Sequence, residues 1–245
     1  MTLSGKRVLI TGGGTGAGAD LARGFAGAGA EVVISGRRAE ALQAVAEPLG
    51  ARWVQADVTD EASVAAMFRD AGPCDIVVAN AGAADSAVLA KTSLAQWNAM
   101  LAVNLTGVFL TFREALGQFR GEGRLIAVAS TAGLKGYAKV APYAAAKHGV
   151  VGLVRSLALE VARKGITVNA ICPGFLDTPM TEHSVQVIAE KTGKSLAEAR
   201  AALEGVSPQG RLFQPSEVTA AALYLASAAA SGVNGACLAI SGGEV

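Results

Sequence analysis

Short apolar segments alternate with longer helical segments along the whole of this 245-residue chain. Seven of the apolar segments predict β-strands: Arg7–Ile10, Glu31–Ser35, Arg52–Ala56, Asp75–Ala79, Arg124–Ala129, Thr167–Ile171 and Ala236–Ile240. Apolar residues follow one another in these segments instead of alternating with polar ones, which is typical of strands buried on both faces of a sheet. The order of strand and helix predicts a parallel sheet with helical crossovers.

Six longer segments predict the helices: Ala17–Ala28, Glu40–Leu49, Ser63–Asp70, Leu94–Phe119, Pro142–Arg163 and Pro215–Ala229. Only residues 175–214 break the alternation. This segment looks irregular and is too long for an ordinary connection, so it predicts a substrate loop or lid. We therefore expect an α/β fold in which residues 1–245 form a single domain. Its core would be a doubly wound, Rossmann-type parallel sheet of about seven strands with helices on both faces.

Composition excludes several classes of protein. Hydrophobic residues make up 51% of the chain and charged residues only 17%, which excludes a disordered protein. The net charge of +1 gives no field that would attract nucleic acid or an anionic membrane. The N-terminus carries no signal-peptide pattern and no apolar run is long enough to span a bilayer, so we expect no membrane partner. Cys74, Cys172 and Cys237 lie far apart without a CxxC pair, which fits a reducing cytoplasm and leaves little for a metal site.

A glycine-rich segment, Thr11-Gly12-Gly13-Gly14-Thr15-Gly16-Ala17-Gly18, follows the first predicted strand and opens the first predicted helix. Glycines let a backbone approach a diphosphate closely, and the start of a helix offers free N–H groups and a positive dipole end. The position of this segment predicts a nucleotide-binding turn. It is not a P-loop, because no Gly-Lys-Ser or Gly-Lys-Thr closes it.

A second motif combines a tyrosine and a lysine on one helix. Tyr143 and Lys147 are four residues apart and share one helix face. An ammonium near a phenol lowers its pKa from about 10 and makes the phenol a general acid or base at neutral pH. Such a pair is common by chance and also fits an exposed helix surface. Ser130, which ends the fifth predicted strand, supports a functional role for the pair, because ligands bind at the carboxyl ends of such strands.

Together these residues resemble the short-chain dehydrogenase/reductase family over the whole chain, in its single-domain branch. The matching motifs are Thr11-Gly12-x3-Gly16-x-Gly18, Ala56-Asp57-Val58, Asn80-Ala81-Gly82, the tetrad Asn104, Ser130, Tyr143 and Lys147, and Pro173-Gly174 with Thr178. The resemblance implies an NAD(P)-dependent oxidoreductase that interconverts a ketone and a secondary alcohol.

The resemblance also implies a role for each member of the tetrad. Tyr143 exchanges a proton with the substrate oxygen, and Ser130 hydrogen-bonds the same oxygen. Lys147 holds the nicotinamide ribose and lowers the pKa of Tyr143, and Asn104 positions water for a proton relay. The implied cofactor contacts are Thr11, Gly12, Thr15, Gly16, Gly18, Arg37, Arg38, Asp57, Val58, Asn80, Ala81, Gly82, Tyr143, Lys147, Pro173, Gly174 and Thr178.

The end of the second strand bears on which cofactor is used. NAD-specific relatives commonly place Asp where this chain has Gly36, and here Arg37 and Arg38 follow. A guanidinium can pair with the 2′-phosphate of NADP, so we expect NADP(H). NAD stays an alternative, since the arginines also fit a surface turn and since Thr15 stands where many NADP-dependent relatives carry a basic residue.

Several segments near the site look like those of 3-oxoacyl and 3-hydroxyacyl thioester reductases and of polyketide ketoreductases. Ser195–Leu203 reads as an amphipathic helix that would cover an acyl chain. Positive charge from Lys191, Lys194, Arg200 and Arg211 would meet the phosphates of coenzyme A or a carrier arm. A pocket for small cyclic or aliphatic ketones is the alternative, and a catalytically inactive nucleotide-binding regulator is a more distant one.

The last helix and strand resemble the family's subunit interface, so we expect a homotetramer acting on a small carbonyl or alcohol substrate. Ala222 and Leu225, on the last predicted helix, are the positions where an introduced Arg would test that interface.

Overall fold

The computed structural model describes residues 2–245. Its seven strands are β1 Arg7–Thr11, β2 Glu31–Gly36, β3 Arg52–Gln55, β4 Ile76–Ala79, β5 Gly123–Val128, β6 Ile166–Pro173 and β7 Cys237–Ile240. All pair in parallel within one sheet, in the order β3-β2-β1-β4-β5-β6-β7. The predicted doubly wound parallel sheet is confirmed. The strand order reverses between β1 and β4, and the crevice at such a reversal is where ligands bind in open α/β sheets.

The helices are α1 Gly16–Gly27, α2 Ala39–Ala46, α3 Glu61–Ala71, α4 Leu94–Leu101, α5 Gly107–Gln118, α6 Ala141–Val161, α7 Pro179–Thr192, α8 Leu196–Glu204 and α9 Pro215–Ala226. Alternate residues of β1 explain why helices are needed on both faces of the sheet. Leu9 points into a core formed with α3, α5 and α6. Val8 and Ile10 point into a second core formed with α1, α2 and α9.

The long helical segment predicted at 94–119 is two helices joined by a π-helical turn at Ala102–Thr106. By length and composition residues 94–118 also fit a membrane span, with a mean hydropathy of 1.3 over 18 residues. Within this fold, α5 buries Val108, Phe112 and Ala115 in the core that includes α3 and α6. In this fold α5 is therefore a core helix, and its buried apolar residues pack against α3 and α6.

Residues 175–214 are more regular than the sequence suggested. The expected amphipathic stretch forms α8, with Ser195 and Glu198 completing a capping box. A further helix, α7, precedes it, and Val185, Ala199 and Leu203 join the two in a small core of their own. α7 went unrecognised because it buries only Thr181 and Val185, so its apolar periodicity is weak. Its sequence signals are Pro179 in the first turn and Gly193 in the left-handed conformation after the last turn.

Candidate active site

Two side chains join the loops that follow β1 and β4, on either side of the crevice. The Thr11 hydroxyl accepts hydrogen bonds from the backbone N–H groups of Asn80 and Ala81, both at 3.1 Å. The Asn80 amide donates in return to the carbonyl oxygens of Thr11, at 2.9 Å, and Gly12, at 3.2 Å. Both residues were expected to contact the cofactor. The structure uses their side chains to hold the two loops against each other.

The glycines of the first turn are required by its packing. A Cβ on Gly18 would lie 2.1 Å from the Gly12 carbonyl oxygen, and one on Gly12 would lie 2.8 Å from the Ala81 Cα. Real Cβ atoms do not approach backbone so closely. Gly12 and Gly16 also have positive φ angles of 68° and 53°, which residues with a side chain rarely adopt. The turn therefore presents bare backbone to the crevice.

The start of α1 provides the donors that a diphosphate needs. Thr15 is its N-cap residue, but the Thr15 side chain makes no capping hydrogen bond, and the first turn holds no acidic residue. N–H groups of this turn stay available to an anion, and the helix dipole favours negative charge there. Thr178, which begins α7, stands beside the same turn, 3.5 Å from where a Gly16 Cβ would lie. These residues fit the diphosphate of a dinucleotide.

Residues after β2 and β3 form the outer end of the crevice. Arg37 and Arg38 are exposed, and the Arg38 guanidinium lies 3.5 Å from the Thr15 hydroxyl. Asp57 accepts hydrogen bonds from the Thr59 N–H and hydroxyl, which lower the pKa of the Asp57 carboxyl. Val58 is buried, with its side chain against Gly107.

Ser130, Tyr143 and Lys147 meet at the carboxyl end of β5. Ser130 directly precedes a short 3₁₀ turn, Thr131–Gly133, and its hydroxyl accepts a hydrogen bond from the Ala132 N–H at 3.1 Å. Tyr143 and Lys147 lie on the first turns of α6. The Lys147 ammonium donates to the Val128 carbonyl at 2.9 Å and lies 5.6 Å from the centre of the Tyr143 ring. Three of the four predicted catalytic residues are thus neighbours.

Burial controls the ionisation of this pair. It raises the pKa of Tyr143 above its usual range, while a hydrogen bond with Ser130 acts in the opposite direction. Burial also lowers the pKa of Lys147 to about 8. The prediction that Lys147 lowers the pKa of Tyr143 is therefore wrong, because burial raises that pKa in this structure. Lys147 stands over the ring face and is bound to Val128, so the loss of water around the phenolate dominates. At neutral pH Tyr143 holds its proton, as a general acid must.

Asn104, the fourth predicted residue, lies in the π-helical turn and is fully buried. Its amide donates to the carbonyl oxygens of Ala83, at 2.8 Å, and Met100, at 3.1 Å, and its oxygen accepts from the Ala83 N–H at 3.2 Å. A Cβ on Gly82 would lie 2.8 Å from that oxygen and 3.8 Å from the Lys147 ammonium. Both amide hydrogens are used, so Asn104 holds the loop after β4 against the end of α4.

A cluster next to Ser130 was missed by the sequence analysis. Tyr137 hydrogen-bonds both the Thr131 hydroxyl, at 2.6 Å, and the Glu244 carboxylate. Glu244 also pairs with the Lys135 ammonium at 2.9 Å, and its side chain is only 2% exposed. Glu244 and Tyr137 are 107 residues apart, so no local pattern connects them. The one signal in the sequence is Gly242-Gly243, whose positive φ angles turn the chain after β7 toward the site.

The basic residues near 190–211 are arranged differently from the expectation. Arg200 pairs with Asp177 at 2.9 Å, with Glu204 at 3.2 Å, and with Glu182. Arg211 forms a two-pronged pair with Glu217 at 2.8 Å. Their charges are thus neutralised by carboxylates, which corrects the idea that both would meet phosphates. Lys194 is exposed, and Lys191 reaches the Ser86 carbonyl at 3.4 Å.

The last helix also differs from the expectation in its orientation. Ala222 and Leu225 are 0% and 1% exposed and belong to the core that includes α1. They are therefore unsuitable for probing a subunit interface. Tyr224, Leu238 and Val245 are the exposed apolar side chains at this end of the sheet. Across residues 2–245, no three His, Cys, Asp or Glu side chains group as metal ligands would.

Comparison with known proteins agrees with this fold. A family model described as Enoyl-(Acyl carrier protein) reductase matches residues 13–244. D-beta-hydroxybutyrate dehydrogenase of Cupriavidus necator is 38% identical, with 99% of each chain covered. Cis-4-hydroxycyclohexanecarboxylate dehydrogenase of Sinomonas cyclohexanicum is 42% identical, with 96% of this chain and 94% of the relative covered. The crystal structure of a variant actinorhodin polyketide ketoreductase with NADPH matches with a TM-score of 0.93 at 36% identity, covering 100% of this chain and 99% of that one.

A doubly wound sheet, a glycine turn that fits a dinucleotide and a Ser–Tyr–Lys group at the carboxyl end of β5 define a nicotinamide-dependent oxidoreductase. The chain belongs to the short-chain dehydrogenase/reductase family. It is an NAD(P)-dependent dehydrogenase or reductase that acts on CH–OH groups.

Proposed function

We propose that the protein is an NADP(H)-dependent enzyme that interconverts a ketone and a secondary alcohol, with a 3-oxoacyl or 3-hydroxyacyl thioester as its substrate. The observation that carries the chemistry is the meeting of Ser130, Tyr143 and Lys147 beside the glycine turn. NAD(P) supplies or accepts the hydride when it is bound. The remaining work, which is to move a proton and to stabilise charge on the substrate oxygen, falls to these side chains.

In the direction of reduction, Tyr143 gives its phenolic proton to the carbonyl oxygen. Ser130 accepts a hydrogen bond from Ala132 and shares its own hydrogen with Tyr143, and it turns that hydrogen toward the same oxygen as negative charge develops there. Lys147 uses one of its three hydrogens on Val128, so two stay available for the hydroxyls of the cofactor ribose. Asn104 keeps the loop after β4 in place beside them.

Substitution of Tyr143 tests the assignment. Tyr143→Phe removes the proton donor and keeps the ring and the helix. We expect kcat to fall by about 10²–10⁴-fold, the usual value of general acid–base catalysis, with little change in cofactor affinity. Steady-state kinetics and titration of cofactor fluorescence measure the two effects. Turnover near the wild-type value would contradict the role given to Tyr143.

The preference for NADP(H) rests on charge at the outer end of the crevice. No carboxylate stands at Gly36 to accept a hydrogen bond from a ribose 2′-hydroxyl, and Arg37 and Arg38 are exposed beside it. The Arg38 guanidinium reaches Thr15, so a positive charge lies next to the position at which many NADP-dependent relatives carry a basic residue. The actinorhodin ketoreductase relative was crystallised with NADPH.

The thioester is supported by the polyketide ketoreductase relative and by the exposed amines of Lys191 and Lys194. The pairing of Arg200 and Arg211 favours the alternative, a small cyclic or aliphatic ketone, as does the relative named for a cyclohexane substrate. Assays of acetoacetyl-CoA and a simple cyclic ketone, at low and moderate salt, separate them. If lysine–phosphate contacts matter, the thioester is preferred and its KM rises with salt. Turnover of the cyclic ketone alone would favour the alternative.

The helical pair α7–α8 covers the substrate as a lid in this proposal, and residues 1–245 act as one domain. We also propose a cytoplasmic homotetramer. Tyr224 and Leu238 are 38% and 37% exposed at the open edge of the sheet, where a second copy would cover them. Light scattering at micromolar concentration tests the assembly, and Tyr224→Arg should weaken it.

A further inference from the structure

The cluster formed by Lys135, Tyr137, Thr131 and Glu244 lies outside the residues used for proton transfer, and we call it the charge-paired wall. Two of its residues are close in sequence to the proposed catalytic residues. Thr131 directly follows Ser130, and Tyr137 lies between Ser130 and Tyr143 along the chain. The Glu244 carboxylate lies 3.2 Å from the position of a Gly174 Cβ, at the carboxyl end of β6. The wall therefore lies at the carboxyl ends of β5 and β6, next to the site at which the proposed function places the substrate carbonyl.

The hydrogen bonds of the wall form an ordered chain. A phenol has one hydrogen, and an ionised carboxylate is a stronger acceptor than a hydroxyl, so Tyr137 donates to Glu244 and accepts from Thr131. Burial and the bond to Glu244 raise the pKa of Tyr137, which keeps this hydrogen in place. The Lys135 ammonium completes the set, 2.9 Å from the same carboxylate and 5.0 Å from the centre of the Tyr137 ring.

The charges of the wall cancel. Lys135 is the cation of the wall, and Glu244 pairs with it, while the Lys147 ammonium is held by the Val128 carbonyl and serves the cofactor ribose in the proposed function. A substrate carboxylate placed against the wall finds its cation already paired and meets an acidic side chain that is almost fully buried, where charge is screened least. A neutral ester, thioester or ketone meets only hydrogen-bonding groups.

We propose that Glu244 is a specificity-determining residue, which selects neutral carbonyl substrates over carboxylates by keeping Lys135 paired. The proposal rests on the carbonyl reduction proposed above and narrows its substrate class. It makes the last residues of the chain part of the substrate site, although they lie more than a hundred residues from Tyr143 in sequence.

Glu244→Gln tests this with little disturbance of shape, because the amide oxygen of Gln still accepts from Tyr137 while the negative charge is lost. Ethyl acetoacetate and acetoacetate present the same ketone with and without charge. Wild type should prefer the ester. In Glu244→Gln the ratio of kcat/KM for acetoacetate to that for the ester should rise about tenfold or more, as expected for one new charge-assisted hydrogen bond. The double variant Lys135→Met, Glu244→Gln should lose that gain.

Glu61→Gln is the matched control, since it removes one carboxylate from an exposed pair with Arg113 elsewhere on the surface. It should leave the ratio unchanged. An unchanged ratio in Glu244→Gln as well, with the ester still reduced, would overturn the role of Glu244 and leave the proposed carbonyl reduction standing.

If the wild type reduces neither compound, the proposed function fails. Ligand binding then tests whether Glu244 keeps carboxylates out of the site. The melting temperature is then measured with butyrate and with butyramide. Stabilisation of Glu244→Gln by butyrate, absent from wild type and from the double variant, supports the proposal. An equal response to butyrate in all three proteins overturns it.

Discussion

The two sides of the crevice are built in different ways. On the cofactor side, the turn after β1 is defined by backbone: Gly12 and Gly18 touch other main-chain atoms, and helix N–H groups are the donors. On the proposed substrate side, the contacts are made by charged side chains, such as Arg200 with its three carboxylates and Glu244 with Lys135. The first arrangement permits almost no substitution. The second is made of contacts that single substitutions can change without altering the fold.

The largest effect that this comparison predicts comes from Gly18→Ala. The new methyl group would lie 2.1 Å from the Gly12 carbonyl oxygen, so the turn must move away from α1. Overpacking typically costs about 1–3 kcal/mol, and a contact this close to backbone belongs at the upper end of that range. We expect a comparable loss in unfolding free energy and at least a hundredfold loss in NADPH affinity, measured by denaturant unfolding and by fluorescence titration.

Gly117→Ala is the control for that substitution. Gly117 lies in the exposed last part of α5, and a Cβ there would meet nothing within 4 Å. Replacement of an exposed helical Gly by Ala stabilises by up to about 1 kcal/mol, so this variant should keep or gain stability. If Gly18→Ala behaved in the same way, the turn would not be defined by backbone contact.

The difference between local backbone contacts and distant side-chain pairs also explains which features could be predicted from the sequence. The strands follow from continuous apolar runs, and the turn from glycines next to one another in sequence, so the predicted strand ends lie within two residues of the observed ones. Tyr143 and Lys147 are also local, being one helical turn apart. By contrast, the pairing of Glu244 with Lys135 and of Arg200 with Asp177 depends on how distant segments pack. The sequence marks these residues only as charged, and it therefore suggested free arginines where the structure has ion pairs.

Lys147 is a buried side chain to which the proposed function gives a role in cofactor binding, and its burial should affect the free energy of unfolding. Its folded-state pKa is about 8, below the 10.5 of an exposed lysine. Below pH 8 the folded protein bears the whole cost of burying the charge. That cost falls as the pH rises from 8 toward 10.5, where the unfolded chain also loses the proton.

Comparison of the wild type with Lys147→Met isolates this contribution, since other groups titrate equally in both. The stability of the variant relative to wild type should fall by about 2 kcal/mol between pH 7 and pH 10. Denaturant unfolding of the cofactor-free proteins across that range measures it. A difference that does not change with pH would mean that Lys147 is not buried in its charged form.

A smaller effect is expected from Arg38→Met, which keeps the length of the side chain and removes the charge. If Arg38 pairs with the 2′-phosphate, kcat/KM for NADPH should fall about tenfold, equivalent to about 1.4 kcal/mol, while the value for NADH stays the same. Arg23→Met, an exposed arginine on α1, should change neither value. A tenfold or greater preference of the wild type for NADH would contradict the cofactor assignment.

The smallest global effect is expected on the substrate side, from Arg200→Met. Arg200 is about one-third exposed, and such ion pairs contribute at most about 1 kcal/mol each. The variant should unfold with nearly the wild-type free energy. It leaves Asp177, Glu182 and Glu204 close together without their cation, so α7 and α8 should separate locally more often. We expect faster amide exchange confined to residues 177–204 and a raised KM, because α7–α8 covers the substrate in the proposed function.

Arg113→Met, which removes a cation from the carboxylates Glu61 and Glu114, should leave both exchange and KM unchanged. Since Arg200 lowers the pKa of Asp177, the effect of Arg200→Met on exchange should shrink as the pH falls through that lowered pKa and the carboxyl takes up a proton. Equal exchange rates in the Arg200 and Arg113 variants would show that the ion pairs do not hold the two helices together.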